Sequence, residues 1–439
     1  MRSPDMSADH APVVIVGAGI AGLIAAIELH RAGRVVQLID AAPEPGGRVR
    51  TSVRDGVLLD HGFQVLFTGY PVLNQYLDHA ALDLKSFRPA AHIVRDHGVH
   101  KLVGDAIADP SLLLPSITGG AVPWRDLWRL LQLRSAATRL SIDECFAPRF
   151  RRVSTREFLR AWGFAARTID GFFAPFYGGI LLDRSLTTRA SVLLFTFKML
   201  AEGRTAVPAA GMGAIPRQLA AQLPPGCVRV DTPVEALLAH DGRVTGVHLA
   251  DGQTLHGSHV VLATDFMTAR TLASTVGVTL DGPTAALGCT TVTYRADRAV
   301  LPGRALYLNA RSDATVSHAI TITEVAPSYA PSGTHVVSAT VLGAAADLPD
   351  EPLDRAVRSD LARMATQSAP LALERVAIWR VPLAQFAQPV DVGDASASTA
   401  STALPGLVRA SEVLHSSSLE GAARGGVAAA QCILEEKTT

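Results

Sequence analysis

Cysteine is scarce and scattered. Cys145, Cys227, Cys289 and Cys432 are the only four in 439 residues. They form no CxxC pair and no metal-ligand spacing, which argues against a zinc ribbon, a thioredoxin-type centre or a disulfide-built scaffold, so no metal is expected. Such usage fits a reducing, cytoplasmic setting. Lysine is rare as well: of 40 basic residues only Lys85, Lys101, Lys198 and Lys437 are lysine. Neither sign of charge is in excess, with 40 acids against 40 bases, so nothing electrostatic draws a nucleic acid. Aromatics make up 5% of the chain, and no Ser-His-Asp set or carboxylate pair stands out. A long hydrophobic run is missing too. Residues 11–29 come nearest, but the stretch is too short for a bilayer, is interrupted by patterned glycines and closes on Glu28. The first ten residues are polar, lack the apolar core of a secretory signal and are expected to be disordered.

What is present is a dinucleotide pattern. The strand-like run Val13-Val14-Ile15-Val16 leads directly into Gly17-Ala18-Gly19-Ile20-Ala21-Gly22, an apolar helix-like stretch follows to Gly33, and Val35 to Ile39 ends at Asp40, eighteen residues after Gly22. Strand, glycine turn, helix, strand and acid in this order are the context that gives GxGxxG its meaning. Gly17 allows the tight turn, Gly19 admits a pyrophosphate against the backbone, and Gly22 lets the helix lie close to the strand. Pyrophosphate would rest on the free amides of Ile20, Ala21 and Gly22 at the positive end of the helix. The Asp40 carboxylate can accept from ribose hydroxyls and would repel a 2′-phosphate. The fold class predicted is α/β, a Rossmann-like nucleotide domain interleaved with a mixed α+β substrate domain.

Beyond that unit stand Gly46-Gly47-Arg48 and, near the far end, Ser418-Leu419-Glu420-Gly421-Ala422. With these segments the sequence resembles, over nearly its whole length, the flavoprotein superfamily of amine oxidases, protoporphyrinogen oxidases and phytoene desaturases, with a glutathione-reductase-type FAD domain. The resemblance implies FAD, held noncovalently, with covalent attachment through His61 or His415 as the alternative. It assigns Arg48 to the FAD phosphates or flavin, and Gly62, Phe63, Gln64 and Val65 to the segment that passes the flavin ring. It takes Val228 to Val234 as the strand whose Val234 backbone pairs with adenine, and Ser418, Leu419 and Ala422 as the opening of the last helix. The family's terminal Gly-Asp is replaced by Ser411-Glu412. Glu412 keeps the carboxylate one methylene further out, while Ser411 loses glycine's backbone freedom, so an altered or weaker hold on FAD is expected.

The implied organisation is interleaved. Residues 11–70, 206–265 and 404–435 are expected to form the FAD domain, and 71–205 with 266–403 the substrate domain. Asp241-Gly242 and Asp251-Gly252 suggest a meander of two hairpins, and Asp391 to Leu404 is a loop rich in small residues. In the substrate part, Phe172 to Ile180 is the densest aromatic cluster, either channel wall or core, with Tyr177 offering a hydroxyl. Trp379 is a candidate to face the flavin and Arg380 to pair with a substrate acid. Nine arginines against four acids in 125–160, with Trp124 and Trp128 one helical turn apart, read as a packed helix or as a surface for peripheral membrane contact across 124–160.

Functionally the resemblance implies dehydrogenation, or flavin-assisted isomerisation, of a largely apolar small molecule by hydride transfer to flavin N5, with oxygen or a quinone as acceptor. An amine substrate is the second reading. Against it, the strand-like Gly288 to Tyr294 lacks the lysine of amine oxidases. A third is a non-catalytic protein like the Rab GDP-dissociation inhibitors, which share the architecture without flavin.

Overall fold

The computed structural model describes residues 11–96, 100–365, 371–391 and 400–436. The first ten residues and positions 392–399 of the small-residue stretch lie outside them.

Val13–Val16 is the middle strand of a five-stranded parallel sheet in the order Val228–Arg229, Val36–Ile39, Val13–Val16, His259–Leu262, Leu407–Arg409. A strand covered on both faces has no need of polar alternates. Val13 and Ile15 accordingly share a core with the helices Ile20–Arg31 and Leu419–Glu435. Val14 and Val16 share another with a three-stranded meander and the helix Phe266–Ser274. The two helices on the first face approach closely because of Gly426, where a Cβ would sit 2.4 Å from the Ala21 carbonyl oxygen.

The meander is antiparallel, Val234–His240, Arg243–Leu249, Thr254–His256. Its first turn places Asp241 and Gly242 at φ of 48° and 73°, the pair of positive values a two-residue hairpin needs. One expectation is corrected here. Val228 to Val234 is not a single strand: Val228–Arg229 pairs with Leu38 and Ile39, the chain turns through Asp231 at φ 49°, and Val234 opens the meander.

A seven-stranded mixed sheet forms the other large element, in the order Leu373–Phe386, Ala286–Ala296, His335–Leu342, Val316–Thr321, Leu306–Asn309, Ala90–Val94, His100–Gly104. The helix Asp350–Met364 packs its Leu353, Val357 and Leu361 on one face. Leu373–Phe386 is an edge strand, where Pro382 removes no needed ladder bond. Beside that proline the register slips, with Leu287 opposite Gln385 but Cys289 opposite Val381. Such a bulge turns carbonyls out of the ladder, and those of Leu383 and Ala384 become acceptors for Arg48. Among the described residues no helix is long and apolar enough to cross a membrane.

Candidate active site

A cavity of about 660 Å³ runs from the glycine turn after Val13–Val16 to the inner face of the seven-stranded sheet. The end at the glycine turn is shaped by three glycines with different jobs. Gly17 has φ 107°, and a Cβ there would lie 2.7 Å from the Ala263 carbonyl oxygen. At Gly22 a Cβ would fall 1.9 Å from the carbonyl oxygen of Gly17, so the helix could not seat on the strand. Gly19 meets nothing within 4 Å, because it faces the cavity. It is also the N-cap of Ile20–Arg31, and no side chain caps that helix. The first-turn amides therefore open towards a ligand, an arrangement suited to a phosphate.

Asp40 closes the second strand. Its Oδ2 accepts from the Ala18 amide at 2.6 Å and its Oδ1 from the Ala42 amide at 2.8 Å. The carboxylate thus fixes the glycine turn and keeps lone pairs on the cavity side. Thr232, Pro233 and Val234 line the cavity near it. A second helix, Leu419–Glu435, also opens at the cavity, with Ser416, Ser417, Ser418, Leu419 and Ala422 along the wall. Ser418 caps it by accepting from the Gly421 amide at 2.9 Å. Glu420 turns away from the ligand space and accepts from the Val72 and Leu73 amides, a structural use that its place in the motif did not announce.

Arg48 joins the two ends of the chain. It pairs with the buried Glu412 and donates to the Ala384 carbonyl at 3.0 Å. The neighbouring Glu412 holds its guanidinium pKa above the ordinary value. The turn that carries it needs both glycines, Gly46 at φ 140° and Gly47 at φ 60°. The expected weakness at Ser411-Glu412 loses half its basis: Ser411 lies at φ −150°, extended backbone open to any residue. Glu412 meanwhile reaches Arg48 with its longer side chain.

Gly62, Phe63, Gln64 and Val65 all line the cavity. Gln64 donates to the Arg48 carbonyl at 2.7 Å, while its Oε1 is buried without a partner. His61 lines the same wall, bonded to Ser52 Oγ at 2.7 Å. Burial and the nearby Arg50 lower its pKa. An uncapped helix end, an open Gly19 and an orphaned Gln64 oxygen are what a bound dinucleotide would complete, so the residues present fit FAD.

The other end of the cavity is walled by Phe176, Gly179, Ile180, Val192, Phe195, Leu306, His318 and Val381. Three sequence candidates are corrected. Tyr177 is core, 1% exposed and packed among Phe173, Phe176 and Phe197, and its neighbour Phe176 reaches the cavity instead. Trp379 lies behind the wall, its ring stacked on His61 at 3.8 Å. Arg380 pairs with Asp350 at 2.7 Å and donates to the Leu348 carbonyl, away from the cavity. Cys289, which does line it, is held as a thiol by burial, its pKa pushed up to about 11. His318 was not singled out in the sequence. All six residues of its strand are buried, so no alternation marks the side that faces the cavity.

With this geometry in view, the comparisons are consistent. The model of the family "Flavin containing amine oxidoreductase" matches residues 20–434. Hydroxyneurosporene desaturase of Cereibacter sphaeroides is 28% identical over 316 residues, 62% of this chain and 58% of that one; the match thus spans less than two thirds of this relative's length. A crystal structure from Exiguobacterium provisionally named a protoporphyrinogen oxidase superposes with a TM-score of 0.70 at 19% identity, covering 98% of this chain and 100% of that one. A double mutant of putrescine oxidase gives 0.68 at 17%, covering 97% and 99%. At these identities the structures speak for the fold alone.

Proposed function

The chain belongs to the family of flavin-containing amine oxidoreductases, FAD-dependent enzymes, and from that membership we propose that it dehydrogenates a largely apolar small molecule, with FAD bound noncovalently and oxygen or a quinone as final acceptor. FAD, when bound, supplies the two-electron acceptor for C–H oxidation. The chain's own residues do the rest. Gly19, Ile20 and Ala21 receive the pyrophosphate, Asp40 the ribose, and Arg48 with Glu412 fixes the junction between nucleotide and substrate ends. Residues 11–70, 206–265 and 404–435 then form the FAD-binding part, and 71–205 with 266–403 the substrate part. In support, the parallel sheet draws its strands from the first set and the seven-stranded sheet from the second.

One observation carries the reading: the cavity that begins at the uncapped helix ends among apolar side chains, the kind of surroundings that keep water from a reacting C–H bond. The apolar wall also ranks the alternatives. Among the described residues the acids that line the cavity are Asp40, Asp265 and Glu412, and no lysine lines it. Asp40 is spent on Ala18 and Ala42, Asp265 caps the helix Phe266–Ser274, and Glu412 is paired with Arg48. None is left to hold a substrate ammonium among the aromatics, which disfavours the amine-oxidase reading. The intact phosphate cradle disfavours a binding protein without flavin. Anaerobic addition of long-chain apolar compounds is expected to bleach the flavin absorption, whereas amines alone doing so would reverse the ranking.

We also propose peripheral membrane contact. Among the described residues ten large apolar side chains are well exposed, and seven of them, Ile107, Leu113, Leu114, Ile117, Trp124, Trp128 and Leu131, fall within one stretch. Trp124 and Trp128 are 71% and 61% exposed on the helix Trp124–Arg139, with arginines alongside. Such a face suits an anionic bilayer surface. The protein is expected to float with phosphatidylglycerol vesicles at low salt, and the double variant Trp124→Ser, Trp128→Ser to remain at the bottom of the gradient. No flotation of the unaltered protein would end the idea.

A further inference from the structure

The apolar end of the cavity holds a polar ring with nothing to bond. His318 is 3% exposed, and neither Nδ1 nor Nε2 has a hydrogen-bond partner. Phe63 meets it edge-on at 5.2 Å, and Phe176 and Leu306 line the cavity with it. The helix Ala174–Leu181 leaves room for the ring only because residue 179 is glycine: a Cβ there would lie 2.7 Å from Nδ1. Of the lining residues, Arg50, Gln64 and His318 carry buried polar atoms without partners. Arg50 and Gln64 belong to the Arg48 side, which leaves His318 as the unpartnered polar group of the apolar end. A buried polar group in that state destabilises the fold, which leucine or phenylalanine in its place would not do.

We propose that His318 is the residue that recognises the substrate's polar group, and that the substrate is an otherwise apolar molecule carrying a hydroxyl. A neutral imidazole offers one donor and one acceptor; Nδ1 faces Gly179 on the helix, so Nε2 is the nitrogen left for a hydroxyl, which can donate to it or accept from it. Burial and the nearby Arg184 push the His318 pKa down to about 4, so the ring is uncharged at neutral pH. This inference rests on the reading that the apolar end of the cavity takes the substrate.

The test is equilibrium dialysis of the protein as purified against radiolabelled 1-decanol, undecane and decylamine, which differ in head group and not in bulk. His318→Phe is expected to weaken decanol binding by about tenfold, the worth of one hydrogen bond, while undecane binding stays within about twofold. His318→Gln, which retains donor and acceptor, should recover part of the loss. Decylamine should bind more weakly than decanol. The proposal is overturned if the unaltered protein does not bind decanol, if His318→Phe lowers decanol and undecane binding together, or if decylamine binds best. The dialysis needs no flavin signal, and the FAD content of the same samples is read separately by absorbance. A failure of the oxidoreductase reading and a failure of the His318 assignment are therefore told apart.

Discussion

Gly19→Val is expected to give a folded protein that no longer retains FAD. The backbone at residue 19 has φ −74° and ψ −179°, which valine adopts without strain, and a Cβ there meets no protein atom within 4 Å. The branched side chain enters only the space where a pyrophosphate would approach the amides of Ile20 and Ala21. Thermal melting without cofactor should shift by a few degrees at most, since an N-cap change from glycine to a β-branched residue costs on the order of 1 kcal/mol. Gly22→Ala is the contrasting variant. Its Cβ would overlap the Gly17 carbonyl oxygen at 1.9 Å, and it should lose stability before any question of cofactor arises. If Gly19→Val keeps a full complement of flavin, the nucleotide end has been misassigned.

Arg48→Ala is expected to lower both FAD retention and stability. Glu412 is buried, and its partner is the guanidinium of Arg48, which is about one third exposed. Breaking a buried pair costs about 3–5 kcal/mol and an exposed one under about 1, so a loss of about 2 kcal/mol fits this intermediate site. The same substitution releases the carbonyl of Ala384 at the strand bulge and loosens the link between the glycine turn and the edge of the seven-stranded sheet. Urea titration of Arg48→Ala, Glu412→Gln and the double variant separates the contributions. The double variant should recover part of the stability lost in Arg48→Ala, because no buried charge is then left alone, but should not recover FAD. Additive losses would mean that the two residues do not act as a pair.

The strand, glycine turn, helix and strand of residues 13–40 were legible because their requirements are local. A turn that needs φ 107° at Gly17, a helix that must pass within reach of Gly17, and a carboxylate at the end of the next strand all leave marks within thirty residues of sequence. The meander was legible for the same reason, through Asp241-Gly242. Val228 to Val234 misled because the family resemblance outweighed the local signal: Asp231 and Pro233 are residues that strands avoid, and the chain turns at Asp231 with φ 49°. The substrate end depends on which side of an element faces inward, and there local pattern fails. Tyr177 and Phe176 are adjacent on a helix buried on most sides, so their chemistry favoured Tyr177 while the packing exposed Phe176 to the cavity. Trp379 and Arg380 sit on an edge strand with a bulge at Pro382, which no alternation rule anticipates. His318 lies in a wholly buried strand. Its role depends on an empty hydrogen-bonding shell and on a glycine more than a hundred residues earlier, neither of which is a property of its own segment.

The central claim, a noncovalently bound FAD at the glycine turn, is tested most directly by the visible absorption spectrum of the purified protein, taken before and after denaturation and filtration. Flavin bands that pass the filter are the result expected. Bands that stay with the polypeptide would contradict the noncovalent assignment, and their absence even after added FAD would contradict the claim itself.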